Sequence, residues 1–110
     1  MAGKFELKTA KNGKFHFNLK AGNGQIILSS EMYEAKASAK NGIESVKKNA
    51  GDDNRFKRLE SSKGEPYFTL TAGNNEVIGR SEMYSTSAAM ENGIESVKKN
   101  APEAAVEEVE

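Results

Sequence analysis

The segment NGIESVKKNA, residues 41–50, occurs again without change at residues 92–101. In a chain of 110 residues, an exact repeat of this length indicates an internal duplication. When the alignment is extended outward, Phe5 pairs with Phe56 and no gap is needed before the two decapeptides. The identical positions cluster, and do not spread evenly along the two copies. The sequence therefore predicts two copies of one unit, residues 1–51 and 52–110, that form one compact domain.

Each copy opens with the pattern of an antiparallel meander. Phe15, Phe17 and Leu19 alternate with polar residues, and a period of two is typical of a half-buried strand. The segment KFELKT before them alternates in the same way, and the Asn12-Gly13 dipeptide between the two runs is a strong hairpin signal. A second turn and the segment QIILSS follow. The first part of each copy is therefore predicted to form three strands.

The period then changes to that of a helix. The positions at helical spacing in the first copy are Ala35, Ala39, Ile43, Val46 and Ala50, and those in the second are Thr86, Met90, Ile94, Val97 and Ala101. The decapeptide forms the last part of each predicted helix. Pro102 marks the end of the second one.

A glycine in the middle of each predicted helix needs an explanation, because it costs about 1 kcal/mol relative to alanine. We expect close packing of each helix on the sheet to offset that cost. The predicted core of the repeats consists of Gly42, Ile43, Val46, Gly93, Ile94 and Val97. The alternative is that the two decapeptides present a pair of ligand sites.

The SEMY segment at 30–33 and 81–84, the AGNG and AGNN turns and above all NGIESVKKNA resemble the YegP-like family of small bacterial proteins. The resemblance covers residues 3–101 and brings no known chemistry. It implies an α+β fold in which tandem β-β-β-α-β units form one mainly antiparallel sheet. Two helices would pack on one face with pseudo-twofold symmetry, and the strand after each helix would be exchanged between the repeats. It also implies a monomer.

The resemblance leaves the ends of the two units to be placed. The strand after the first helix would be residues 55–61, which also open the second unit in the repeat register. The last strand would have to come from EAAVEEVE at 103–110, which is rich in alanine and glutamate. We therefore expect residues 102–110 to form either a final strand or a frayed tail.

Composition excludes several classes of protein. The chain has no cysteine, which excludes disulfides and thiolate-metal sites, and no apolar run approaches the roughly 18 residues of a membrane span. Lysine and arginine number 16, as do aspartate and glutamate, and the basic residues concentrate in the first half. This bias is too mild for a dedicated nucleic-acid-binding protein. We expect a cytoplasmic protein without cofactors.

No catalytic or metal-binding group is evident in the sequence. His16, the only histidine, is predicted to be exposed on a strand without a carboxylate to orient it. Ser30 and Ser81 each precede a glutamate, but no nucleophile motif surrounds them, so we expect them to bond local backbone. Met32-Tyr33 and Met83-Tyr84 are expected to pack beside them. We therefore predict that the protein is not an enzyme.

The remaining candidate for function is the sheet face away from the helices. Its predicted partner-binding residues are Lys14, His16, Asn18, Lys20, Tyr67 and Thr69. We consider a protein-interaction or structural module that uses this face or a sheet edge. The alternative is weak binding of single-stranded nucleic acid, with lysines on phosphates and a ring of His16 or Tyr67 stacked on a base. An antiparallel sheet can also leave one face in water without any function.

Overall fold

The computed structural model describes residues 3–109. The strands are β1 (Lys4–Thr9), β2 (Phe15–Lys20), β3 (Ile26–Ser29), β4 (Phe56–Glu60), β5 (Pro66–Thr71), β6 (Val77–Arg80) and β7 (Ala105–Val109). The helices are α1 (Lys36–Asn49) and α2 (Ser87–Asn100). Short 3₁₀ helices, Asp53–Arg55 and Ala101–Glu103, precede β4 and β7.

All seven strands belong to one mixed sheet, in the order β4-β5-β6-β3-β2-β1-β7. Neighbouring strands are antiparallel except β1 and β7, which are parallel. Each repeat therefore supplies a three-stranded meander followed by a helix. The predicted α+β class, with two repeats in one mainly antiparallel sheet, is confirmed.

The two meanders meet at a narrow seam. Between β3 and β6 the register holds one residue pair, Ser29 with Arg80. The helices strengthen this seam, because α1 packs over β1 and β2 of its own repeat and also over β5 and β6 of the other, while α2 contacts β5 and β3. At this seam, the packing of the helices thus joins the two meanders more than the pairing of β3 with β6 does.

Both helices cover the same face of the sheet. The register aligns Phe5, Leu19 and Leu28 in the first repeat, and Phe56, Leu70 and Gly79 in the second. A Cβ placed at Gly79 would lie 2.6 Å from Leu28 Cδ2, so the two rows share one face. The aligned side chains are buried in one hydrophobic core, and Phe5, Leu19 and Leu70 are fully shielded from solvent.

The mid-helix glycines lie where the helices approach the sheet most closely. Gly42, Ile43 and Val46 are all buried in α1. A Cβ on Gly42 would stand 2.5 Å from Tyr33 Oη and 3.0 Å from Phe17 Cε2. The Tyr33 ring itself stacks on Phe17, with centroids 6.2 Å apart and an interplanar angle of 13°. The glycine therefore makes room for an aromatic stack that lies between helix and sheet.

The second repeat reproduces this packing. Gly93, Ile94 and Val97 are buried in α2. A Cβ on Gly93 would meet the Tyr84 hydroxyl and would lie 3.2 Å from Phe68 Cε2, and Tyr84 stacks on Phe68 at 6.3 Å. The identical decapeptides thus fit identical aromatic stacks.

Two predicted details at the helix starts are wrong. Ala35 was assigned to the buried helical face, but it is exposed at the N-cap of α1. Its counterpart Thr86 is also an N-cap, and its side chain accepts a hydrogen bond from the Ala89 N–H. The methionines, expected to pack together with the tyrosines at the strand-to-helix junction, are exposed, Met32 by 52% and Met83 by 46%. Their adjacent tyrosines alone enter the core.

The C-terminal segment forms a strand. β7 lies against β1 of the first repeat, with Val106 opposite Phe5 and Glu108 opposite Leu7. The Glu108 carboxylate bonds Lys36 Nζ on α1 at 2.6 Å, which fixes the strand beneath that helix. The strand after α1 is β4, and it pairs with β5 of its own repeat. Exchange of the strand after the helix therefore runs in one direction, from the second repeat to the first.

Candidate protein-binding surface

One row of polar residues crosses the helix-free face of the sheet from edge to edge. Residues directly opposite in a sheet point to the same face. The register places the following in one row, from β4 to β7: Lys57, Thr69, Arg80, Ser29, Asn18, Glu6 and Glu107. The cations lie in the second repeat, and the carboxylates lie on β1 and β7. The row is therefore polarised in charge.

In the first repeat, the charged groups of this face are engaged in ion pairs with one another. Glu6 is 7% exposed and has three lysine ammonium groups around it. Its carboxylate lies 3.2 Å from Lys20 Nζ, 3.8 Å from Lys8 Nζ and 3.9 Å from Lys4 Nζ. Lys4 also reaches Glu107 on β7, at 3.5 Å. This half of the face offers a closed network of ion pairs.

In the second repeat, the row carries two cations, Lys57 and Arg80, where the first repeat carries Glu6 and Ser29. Lys57 and Arg80 lie on either side of Thr69 in the row. Within residues 3–109, no ion pair joins either cation to a carboxylate. We call Lys57, Thr69 and Arg80 the cationic patch.

Thr69 gives the cationic patch an unusual centre. It is 3% exposed, and its Oγ1 has no hydrogen-bond partner among the described residues. Buried hydroxyls are normally satisfied, since an unpaired one costs about 1–3 kcal/mol. In the described structure, the patch therefore combines two cations that form no ion pair with a buried hydroxyl that has no hydrogen-bond partner.

The predicted lysines of the first repeat are already paired. Lys14 Nζ lies 3.2 Å from Glu34, and Lys20 is one of the lysines around Glu6. His16, predicted to be exposed, is half-buried opposite Lys8, and Tyr67 is half-buried opposite Leu59. This arrangement does not favour nucleic-acid binding, because Lys14 and Lys20 already form ion pairs within the protein.

Asn18 and Thr69 occupy the predicted face but are less exposed than an open strand position would be. They are 7% and 3% exposed, and both lie in interior strands that have a neighbouring strand on each side. Sequence reasoning missed Lys57 and Arg80. The signal was present in the repeat alignment, where Lys57 replaces Glu6 and Arg80 replaces Ser29.

The serines beside the seam hold the backbone together, as predicted. Ser81 Oγ accepts the Phe68 N–H at 2.9 Å and donates to the Glu82 carbonyl at 2.8 Å. Ser30 makes the equivalent bonds, accepting the Phe17 N–H and donating to the Glu31 carbonyl. Both hydroxyls are therefore committed to structure.

A network of ion pairs lies beside β4 on the helix-covered face. Arg58 Nε bonds Glu91 at 2.6 Å, and Arg58 Nη2 bonds Asp53 at 3.1 Å. Lys98 Nζ also donates to Asp53, at 2.7 Å. The hydrogen bond from Lys98, followed by that from Arg58, lowers the pKa of Asp53, and Arg58 likewise lowers the pKa of Glu91. These groups remain ionised over the ordinary pH range.

The pKa values of two tyrosines, Tyr33 and Tyr84, are raised instead. Burial raises the pKa of Tyr33, with smaller effects from the carboxylates of Glu31 and Glu76. Burial also raises the pKa of Tyr84, assisted by Glu82. Both phenols therefore stay protonated at neutral pH, as their place in the aromatic stacks requires.

The part of the chain that the structure describes has neither a cluster of metal-binding side chains nor a helix that could span a membrane. Residues 3–109 contain no group of three or more histidine, cysteine, aspartate or glutamate side chains placed to hold a metal ion. Neither α1 nor α2 has the length and apolar character needed to cross a bilayer, and no other described helix has them either.

Comparison with known proteins identifies the family. The profile of a family described as "Domain of unknown function (DUF1508)" matches twice, at residues 10–56 and 61–108. The UPF0339 protein MS1092 of Mannheimia succiniciproducens is 52% identical over 107 residues, which cover 97% of this chain and 95% of that protein. The UPF0339 protein YegP of Yersinia pestis is 57% identical over 98 residues, 89% of this chain and 88% of that protein.

Solved structures agree with the fold described above. The solution NMR structure of the Escherichia coli protein of unknown function yegP has a TM-score of 0.93 and 45% identity, covering 98% of this chain and 93% of that one. The solution NMR structure of UPF0339 protein SO3888 from Shewanella oneidensis has a TM-score of 0.93 and 44% identity, covering 98% and 92%. The chain belongs to the YegP-like (DUF1508) family and carries its domain in tandem.

Proposed function

We propose that the protein is a non-enzymatic interaction module that binds an acidic surface of a protein partner through the cationic patch. One observation carries the proposal: within residues 3–109, neither Lys57 nor Arg80 forms an ion pair, and the buried Thr69 hydroxyl between them has no hydrogen-bond partner. A carboxylate brought by a partner would supply the missing negative charge. Hydrogen bonds between charged groups are about twice as strong as neutral ones, so such a contact contributes orientation and affinity.

The contrast between the two repeats supports the same conclusion. In the first repeat, the Glu6 carboxylate forms ion pairs with Lys4, Lys8 and Lys20. In the second repeat, Lys57 replaces that glutamate, and no carboxylate within residues 3–109 forms an ion pair with it, so an acidic group of a partner can reach it. Complementary charge across an interface chiefly sets specificity and the rate of association.

A monomer in the cytoplasm that acts by contact, and not by catalysis, fits this proposal. One chain supplies all seven strands of the sheet, so no second copy is needed to complete it. Light scattering on the purified protein would test this part, with a mass near 11.9 kDa expected for the monomer.

Site-specific photo-crosslinking in bacterial cells tests the proposed contact. A photoreactive amino acid replaces Tyr67, which is half-buried next to Thr69 on the helix-free face. The control places it at Lys48, which is exposed on α1. We expect a discrete protein adduct from position 67 alone. The same adducts from both positions, or none from position 67, would contradict the proposal.

A further inference from the structure

The two repeats differ at one edge of the sheet. β1 and β4 are equivalent in the repeat alignment, and each pairs with the second strand of its own repeat. The other side of β1 is covered by β7, which runs parallel to it. The corresponding side of β4 pairs with no strand among the described residues. We call this side of β4 the open edge.

The backbone groups at the open edge can be assigned from neighbouring hydrogen bonds. The Phe68 N–H donates to Ser81 Oγ, and the Phe68 carbonyl accepts the Ser81 N–H, so both groups point toward β6. Arg58 lies directly opposite Phe68 in an antiparallel pair. The backbone groups of Arg58 therefore point away from β5, into the open edge. Those of Glu60 do the same, because residues alternate along a strand.

The sequence of β7 fits the open edge better than it fits β1. On β1, Val106 lies opposite Phe5, but Glu107 opposes Glu6 and Val109 opposes Lys8. The same strand in the equivalent register on β4 would pair as follows: Val106 with Phe56, Glu107 with Lys57, Glu108 with Arg58 and Val109 with Leu59. All four pairs match in polarity, and opposed charges stabilise cross-strand pairs whereas like charges destabilise them.

Side chains at the open edge are available for such a strand. Lys57 has no acidic partner in residues 3–109, and Leu59 is 42% exposed. Arg58 uses Nε and Nη2 for Glu91 and Asp53, and no hydrogen bond engages its Nη1 in the described structure. A guanidinium group carries five N–H donors, so Arg58 can donate to a further carboxylate without breaking its bonds to Glu91 and Asp53.

We propose that the open edge of β4 binds an extended segment of a partner protein, parallel to β4, with the sequence pattern apolar–acidic–acidic–apolar. The inference rests on the proposed function, because it describes how a protein partner would add its strand to the sheet. Backbone hydrogen bonds to Arg58 and Glu60 would give affinity, and the charges of Lys57 and Arg58 would select the acidic segment.

The chain's own β7 does not fill this place. Leaving β1 would expose Phe5 and Leu7, which are now 0% and 2% exposed. The strand is also attached to α2 by four residues, so its effective concentration at β1 is high. The burial of Phe5 and Leu7 and the short connection to α2 both keep β7 paired with β1. The same holds for β7 in a second copy of the chain. The occupant is therefore a segment of another protein.

A peptide with the sequence of residues 103–110, EAAVEEVE, serves as the probe. The full chain, labelled with ¹⁵N, is titrated with this peptide while amide shifts and hydrogen exchange are followed. We expect saturable shifts along β4 and slower exchange of the Arg58 and Glu60 amides. The matched control peptide KAAVKKVK should not bind.

Variants distinguish the contribution of the backbone hydrogen bonds to binding from that of the side-chain charges. Lys57→Glu combined with Arg58→Glu should weaken binding by about tenfold or more, because two attractive cross-strand pairs become repulsive. Arg58→Pro removes the outward N–H at a position where an edge strand tolerates proline, and Arg58→Ala removes only the side chain. Binding should be weaker in Arg58→Pro than in Arg58→Ala. If the proline variant does not fold, the amide protection of Arg58 decides the point.

Several results would overturn the inference. These are no saturable shift with EAAVEEVE, shifts confined to β1 and β7, equal binding of the lysine peptide, or concentration-dependent self-association through β4 without peptide.

The inference and the proposed function can fail separately. Arg80→Glu should leave peptide binding within about twofold, since Arg80 lies two strands from the edge and surface charge effects are small. A crosslink at position 67 without peptide binding would retain the proposed function alone.

Discussion

Replacing Gly42 with alanine should destabilise the protein, although the same change stabilises an ordinary helix. Alanine in a helix interior is favoured over glycine by about 1 kcal/mol. Here the new methyl group would stand 2.5 Å from Tyr33 Oη and 3.0 Å from Phe17 Cε2. The tyrosine cannot simply swing away, because its ring is stacked on Phe17.

The size of the effect follows from these two opposing terms. Overpacking a close contact typically costs 1–3 kcal/mol, so after the gain in helix propensity we expect a net loss of roughly 0–2 kcal/mol for Gly42→Ala. Gly42→Leu should cost more, since it adds three further carbons at the same contact. Urea unfolding measures both differences. Each 1 kcal/mol would also lower the melting temperature by about 4–8 °C in a domain near this size.

A double-mutant cycle identifies the contact responsible. Tyr33→Phe removes the oxygen nearest the new methyl group, so Gly42→Ala should cost less in that background, with a coupling of about 0.5 kcal/mol or more. Gly93→Ala with Tyr84→Phe repeats the test in the second copy, and Ser38→Ala on the exposed side of α1 serves as the control. If Gly42→Ala stabilised the protein by about 1 kcal/mol, the reasoning on close approach would be refuted.

Three further predictions concern single groups. Ser81→Ala leaves the Phe68 N–H unpaired and should lower the free energy of unfolding in urea by roughly 1–3 kcal/mol. Ser30→Ala should lower it less, because Ser30 is more exposed. Equal losses in the two variants, or a larger loss in Ser30→Ala, would contradict this. Thr69→Val removes an unpaired buried hydroxyl and should stabilise the fold by about 0.5–1.5 kcal/mol, so a clear loss of stability would show that the hydroxyl is satisfied. The hydrogen bond from Lys36 lowers the pKa of Glu108 below its ordinary value of about 4.3. The resulting stabilisation of β7 is present above that value and is lost as the pH falls through the lower folded pKa. The protection factors of the β7 amides, corrected for the pH dependence of intrinsic exchange, should therefore fall in acid, and a Glu108 titration at or above its ordinary pKa would contradict this.

The repeat and the helix positions could be predicted because their signals are local. The decapeptide carries the buried face of each helix, and the alternation around Phe17 marks a strand without reference to the rest of the chain. The close approach at Gly42 was also predictable, because a mid-helix glycine needs compensation. The aromatic stack that provides it was not, since the tyrosine and the phenylalanine meet only in the folded chain.

Whether the C-terminal residues form a strand could not be predicted from their own composition. Alanine and glutamate are poor strand formers, but Val106 packs opposite Phe5 and Glu108 reaches Lys36, so tertiary contacts override the local preference. The position of the seam was also not predictable, because one residue pair joins β3 to β6 and nothing in either strand specifies the other.

The cationic patch was only partly predictable. Thr69 was placed on the correct face by its alternation with Phe68 and Leu70. The flanking cations were missed because they lie on different strands, and their alignment with Thr69 depends on the register of β4 and β6. The replacement of Glu6 by Lys57 between the repeats is the sequence signal that could have found one of them.

The charge dependence of the crosslink at position 67 tests the proposed contact most directly. Adduct yield is compared between the parent protein, Arg80→Glu in the cationic patch, and Lys8→Glu, which lies on the same face but is already paired with Glu6. We predict that Arg80→Glu lowers the yield by about fivefold or more, because it places like charge against an acidic partner, while Lys8→Glu leaves it nearly unchanged. Equal yields in all three proteins would show that the partner does not recognise the cationic patch.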